Sequence, residues 1–207
     1  MFHWLIELDQ KVFLYLNSIH SPVWDNIMVW ISGDKTWIPL YIVLLSVVIY
    51  RERPYHFIYT ILFIAIAVGL SDYISVLIKN LIERPRPTHN AEIANIVHIV
   101  NNYRGGPYGF VSSHAANVFC VATFIAYQFK TVKWGLFLFA WAAVVSYSRI
   151  YLGVHYPLDI ICGAILGILL GTQCFVIKVR TMVEIDRRIQ IRKEKKEEND
   201  QLRIKNF

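Results

Sequence analysis

The chain has 207 residues, 56% of them hydrophobic and only 17% charged, a balance that excludes an ordinary soluble domain. Its formal charge of +6 is no nucleic-acid footprint: Thr181–Phe207, with eight Lys or Arg against six Asp or Glu, carries +2, and residues 1–180 carry +4. Cys120, Cys162 and Cys174 lie in apolar windows without metal-ligand or CxxC spacing, and read as small core residues.

From the N-terminus, Phe2, Trp4, Leu5, Leu8, Val12, Leu16 and Ile19 fall near helical spacing with charges between them. Residues 1–20 therefore read as an amphipathic interfacial helix or a first membrane helix. Glu7, Asp9 and Lys11 interrupt the apolar run that a cleavable signal would need. A span takes roughly 20 mostly apolar residues, and the windows 37–50, 55–78, 112–129, 134–147 and 157–177 approach or exceed that. With the shorter windows 2–16 and 22–32, an all-α integral membrane bundle of five to six transmembrane helices is expected. Residues 21–180 form its membrane-embedded domain, and 181–207 a charged, partly helical cytoplasmic tail.

Orientation follows from the basic residues between spans. Arg51 and Arg53, Lys130 and Lys133, and Lys178, Arg180 and the tail mark one end as inside. The other end, outside, then gathers Lys79 to Phe110, Gly109 to Asn117 and Ser148 to Asp159, with Lys79, Arg84, Arg86, Arg104 and Arg149 on the side where the rule does not place cations. Cations there point to a task.

The first of these clusters is KNLIERPRP, where Lys79, Arg84 and Arg86 leave a span and two prolines end its helix. Cations at a span's end also simply snorkel to the interface. In the second, GFVSSHAAN, Ser112 and Ser113 precede a helical run as N-cap candidates, leaving free backbone N–H groups for an anion, with His114 in the first turn. In the third, SRIYLGVHYPLD, Pro157 starts a helix and Asp159 reaches back toward His155. A carboxylate on one ring nitrogen of a histidine fixes its tautomer and raises the nucleophilicity of the other. His155 and Asp159 are also spaced as metal ligands, but no third or fourth ligand accompanies them, so no metal and no cofactor are expected. Three cations for phosphate oxygens and two histidines, a nucleophile and a proton donor, suffice for phosphoryl transfer.

These three clusters closely resemble the type 2 phosphatidic acid phosphatase family, whose core is shared with vanadium haloperoxidases. The family's K-x6-R-P appears as Lys79 to Arg86-Pro87, and its S-R-x5-H-x3-D as Ser148-Arg149, His155 and Asp159. Its P-S-G-H appears as Val111-Ser112-Ser113-His114, so Val111 replaces the proline and Ser113 the glycine. Ser113 can offer the same backbone N–H and adds a hydroxyl. The resemblance implies a metal-independent membrane lipid phosphatase in which His155 attacks phosphorus and Asp159 orients it. His114 would protonate the leaving oxygen and later activate water, while Lys79, Arg86, Arg149, Ser112 and Ser113 bind the phosphoryl group.

The substrate expected is a lipid phosphate held at headgroup depth, first undecaprenyl diphosphate, with lipid A, phosphatidylglycerol phosphate and phosphatidic acid as alternatives. The active site would face the periplasm or exterior of the inner membrane. The segment between the first two motifs would cap the headgroup, with Arg104 a possible contact and His89 and His98 exposed loop residues. Asp72, two turns before Lys79, is expected to make a polar contact within the bundle. A small transporter is the reading from another class, but its charges would lie at the midplane among inverted repeats.

Overall fold

The computed structural model describes residues 3–205; Phe2, assigned above to an amphipathic face, lies outside them, as do Met1, Asn206 and Phe207. Seven α-helices follow one another: α1 (His3–Ser18), α2 (Pro22–Ser32), α3 (Ile38–Arg51), α4 (Pro54–Ile82), α5 (Ser113–Phe129), α6 (Val132–Tyr151) and α7 (Pro157–Lys205). Short 3-10 turns at Asp34–Trp37 and Pro87–His89 complete them, and among the described residues there is no β-strand. Proline sets several starts, with Pro22, Pro54 and Pro157 each opening a helix where the missing N–H costs nothing. Ser21 caps α2 through the Trp24 amide and Ser112 caps α5 through the Ala115 amide. Glu83 and Lys130, both left-handed, end α4 and α5.

Helix α5 is the centre of the bundle and packs against α4, α6 and α7. Phe124 and Leu138 are fully buried in a core shared with Leu44, Val48, Ala67, Phe129 and Trp141; Cys120 and Cys174 join it, while Cys162 is half-buried. Apolar burial yields little between helices in lipid, so close backbone approach has to supply the cohesion. Gly163, Gly167 and Gly171, one on each turn of α7, provide it. A β-carbon would stand 2.6 Å from the Ser112 carbonyl oxygen at Gly163 and 2.6 Å from that of Cys120 at Gly171, and at Gly167 it would collide with Ala116. This ridge lies α7 directly on α5 and brings their first turns side by side, with the Ser112 amide donating to the Asp159 carbonyl at 3.0 Å.

The span count differs from the expectation. Among the described residues, α4 and α7 are the helices long and apolar enough to cross a membrane, and α2 with residues 34–51, bent by 68°, makes a third as a broken pair. Helices α5 and α6 fall short because of their chemistry and setting. The first has 17 residues and opens on Ser113 and His114; the second carries Lys133 and Arg149 near its ends. Enclosed by three neighbours, α5 meets side chains where a lone span meets lipid, so its surface need not be apolar throughout. Helix α1 buries Asp9, Phe13 and Asn17, and all three touch one end of the bundle: Leu158, Tyr156 and the carbonyls of Ile150 and Tyr151. Helix α7 continues unbroken through the charged segment to Lys205, where a partly helical tail was expected. At the end opposite α1, Lys178 donates to Glu52 at 2.8 Å and to Gln128 at 2.9 Å, a nearly buried ion pair tying α7 to the α3–α4 corner.

Candidate active site

The three sequence clusters meet at the end of the bundle that α1 covers. Helix α4 delivers Lys79 in its last turn, and the chain then runs extended through Arg84-Pro85-Arg86. This segment is pinned by a bridge between Pro85 and Tyr108, by the Arg86 amide donating to the Pro107 carbonyl, and by the Gly109 amide donating to that of Arg84. The start of α5 supplies Ser113 and His114, the end of α6 Arg149, and the turn before α7 His155. Lys79, Arg86, Ser113, His114, Arg149 and His155 all line one cavity of about 650 Å³.

His155 is 1% exposed, and Arg86 Nη1 lies 3.1 Å from its Nε2. Burial, then the Arg86, Arg149 and Lys79 charges, hold its pKa well below 6.5, so the ring is neutral. An Nε2 that accepts from a guanidinium leaves the proton on Nδ1, which faces Asp159 Oδ2 at 3.5 Å. That separation is longer than a good hydrogen bond, and Nδ1 has no other partner. Asp159 itself is fixed firmly: Oδ2 accepts from the Tyr156 amide at 2.9 Å and Oδ1 from Arg84 at 2.8 Å. Gly109 passes over this pair so closely that a β-carbon there would stand 2.9 Å from Asp159 Oδ2.

The cations are held at several points. Arg86 donates through Nε to the Tyr108 carbonyl at 3.0 Å and through Nη1 to that of Val154 at 3.1 Å. Arg149 is 4% exposed, bonds Ser32 and the Tyr103 hydroxyl, and keeps an unpartnered Nε. Lys79 donates to the Ser113 hydroxyl at 2.9 Å, and Ser75 does so at 2.7 Å. The hydroxyl at the position where the resemblance expects glycine therefore restrains the lysine. Ser112 is fully buried, its hydroxyl capping α5 and its side chain off the cavity wall.

Other assignments move. The Arg104 guanidinium bonds the Thr88 carbonyl at 3.2 Å and does not line the cavity; its neighbour Tyr103 does. His98 is no exposed loop residue: it stacks on His20 at 3.7 Å and bonds Asp25 at 2.9 Å, whereas His89 is exposed. Asp72 lines the cavity, 3.5 Å from the Asn117 amide. Sequence reasoning missed Asp34, whose Oδ1 lies 3.5 Å from His114 Nε2. A Gly-Asp pair interrupting the apolar residues 22–51, at the end where the other clusters gather, was the available signal.

Two lipid A 4'-phosphatases are similar to this chain. That of Bacteroides thetaiotaomicron is 36% identical over 81% of this chain and 75% of its own, and that of Porphyromonas gingivalis 32% identical over 85% and 74%. The undecaprenyl-diphosphatase BcrC of Bacillus subtilis stands further off, 27% identical over 79% of this chain and 81% of its own. The crystal structure of Aquifex aeolicus LpxE superposes with a TM-score of 0.62 at 25% identity, covering 84% of this chain and 95% of that one. The family model of the PAP2 superfamily matches residues 59–182, from the first turns of α4 into α7, and so takes in every motif gathered at the cavity. Motif spacing, helical architecture and these likenesses agree: the chain is an integral membrane phosphatase and belongs to the PAP2 superfamily.

Proposed function

We propose that this protein is a lipid A phosphatase that removes a phosphate monoester from the disaccharide headgroup at the outer face of the inner membrane. The observation that carries the chemistry is the single cavity shared by Lys79, Arg86, Arg149, His114 and His155. The choice of lipid A over undecaprenyl diphosphate, which the sequence alone favoured, is supported by the higher identity to the two lipid A 4'-phosphatases. The outward orientation is supported by Arg51, Arg53, Lys130 and Lys133 and the basic residues of α7, all toward the opposite end, with the C-terminal tail cytoplasmic.

In this reading the phosphoryl oxygens bind Lys79, Arg86, Arg149 and the amides at the start of α5. The His155 Nε2 lone pair forms the phosphorus–nitrogen bond as the bond to the sugar oxygen breaks, and His114 gives that oxygen its proton. Asp34 Oδ1 lies 3.5 Å from His114 Nε2, and Asp159 faces the proton on His155 Nδ1 as positive charge develops on that ring. Water then attacks phosphorus, His114 takes its proton, and the phosphorus–nitrogen electrons return to Nε2. No metal enters these steps.

The test is phosphate release by purified full-length protein from lipid A, undecaprenyl diphosphate and phosphatidylglycerol phosphate, with and without EDTA. Lipid A is expected to be hydrolysed fastest, EDTA to leave the rate unchanged, and His155→Ala to abolish turnover in a folded protein. Faster release from undecaprenyl diphosphate overturns the substrate assignment. Turnover retained in His155→Ala removes it as nucleophile, and strong inhibition by EDTA ends the metal-free mechanism.

A further inference from the structure

Arg84 and Arg86 alternate along an extended segment, so their side chains leave on opposite sides. Both converge on the same imidazole. Arg86 approaches Nε2 of His155 directly, while Arg84 holds Asp159, which faces Nδ1. Arg84 is also shared. Its Nη2 donates to Asp9 Oδ2 at 2.6 Å and its guanidinium lies 4.2 Å over the Tyr156 ring. Asp9 Oδ1 in turn accepts from the Leu158 amide at 2.9 Å, next to Asp159. Both carboxylate side chains are at most 2% exposed. A closed circuit thus runs from α1 through Arg84 and the first turn of α7 back to α1.

We infer that Asp9 and Arg84 are positioning residues for the nucleophile, and that α1 is thereby a working part of the active site. The inference rests on the reading of His155 as nucleophile. Burial pushes the Asp9 and Asp159 carboxyls above the usual carboxylate range, and Arg84 with the amides of Leu158 and Tyr156 pulls them partway back; the physical basis of the inference is the count of charge when both are ionised. Arg84 alone would neutralise Asp159; shared with Asp9, it leaves the trio one negative charge in excess, beside a ring that becomes cationic when phosphorylated. The same fork fixes Asp159 sideways, because each terminal nitrogen is committed to a different carboxylate. Removing the Asp9 charge leaves an Arg84–Asp159 pair of no net charge, and the phosphorylated ring loses stabilisation that the resting neutral ring does not need.

Asp9→Asn tests this: the amide oxygen still accepts from Leu158, the charge is gone, and the amide nitrogen, itself a donor, releases Arg84 Nη2. With lipid A and, in parallel, dioctanoyl phosphatidic acid in mixed micelles, kcat is expected to fall about tenfold with KM within roughly twofold. Formation of the alkali-stable phosphoenzyme should slow in step, Asp9→Glu should recover most of the rate, and Arg84→Lys should fall as Asp9→Asn does. Unchanged kcat in Asp9→Asn and Arg84→Lys overturns the inference, and so does a raised KM at unchanged kcat. Loss of folded protein in both, beside a folded and fully active Asp9→Glu, makes the circuit a structural clamp and overturns it equally. His155→Ala is the control that separates the two ideas. If it is inactive while the Asp9 and Arg84 variants turn over normally, only this inference fails; if it is active, the nucleophile assignment fails first.

Discussion

His155 shows how a residue whose free side chain titrates near neutrality is kept uncharged. Burial removes water from the ring, and Arg86, Arg149 and Lys79 oppose a further positive charge. The sign of the linkage follows. Below pH ~6.5 the unfolded chain takes up a proton at this position that the folded chain refuses, so stability falls as pH drops below that value. The thermal midpoint of the purified protein should therefore decline between about pH 6.5 and 5, and His155→Gln should flatten that decline. A slope unchanged by the substitution would assign it to other groups. At this scale the sequence was most legible where motif order sets placement: Lys79, Arg86, His114, Arg149 and His155 line one cavity. It was least legible where a partner is distant. Asp34, Tyr103 and Asp9 are ordinary residues until folding sets them beside His114, Arg149 and Arg84.

Among the elements, α5 and α7 decide the site, because their first turns hold His114 and Asp159. What fixes their separation is the glycine ridge of α7, and its four-residue spacing was in the sequence all along, hidden within a window read only for its hydropathy. Gly167→Leu should force the helices apart, costing about 1–3 kcal/mol or more of stability. It should lower kcat as well, since His114 and His155 then no longer face one substrate. Thermal stability and lipid A turnover measured on one preparation check both; a variant with wild-type values would show that the close approach is dispensable. The elements themselves were legible, with every apolar window from 37 onward overlapping a helix. Their number as spans was not, because hydropathy weighs each segment as though alone in lipid and takes no account of the neighbours that enclose α5.

For the whole molecule, the distribution of charge is what supports the proposed direction. The site end carries cations engaged with Asp159, Tyr103 and Ser113, while the far end and the tail carry those left to follow the positive-inside rule. Single cysteines placed at Asn102 in the cap and Asn199 in the tail, on a background with Cys120, Cys162 and Cys174 replaced by serine, should be labelled by an impermeant thiol reagent from opposite sides of the inner membrane. Asn102→Cys should react from the periplasm in intact spheroplasts, and Asn199→Cys only after lysis; the reverse pattern would invert the molecule. The cavity adds a consequence for turnover. Lys79, Arg86 and Arg149 line it together, and under the proposed function inorganic phosphate presents the same oxygens to them as the ester does. In that reading, affinity for the lipid and retention of the product are one property, so tighter binding of the ester also means slower release of phosphate.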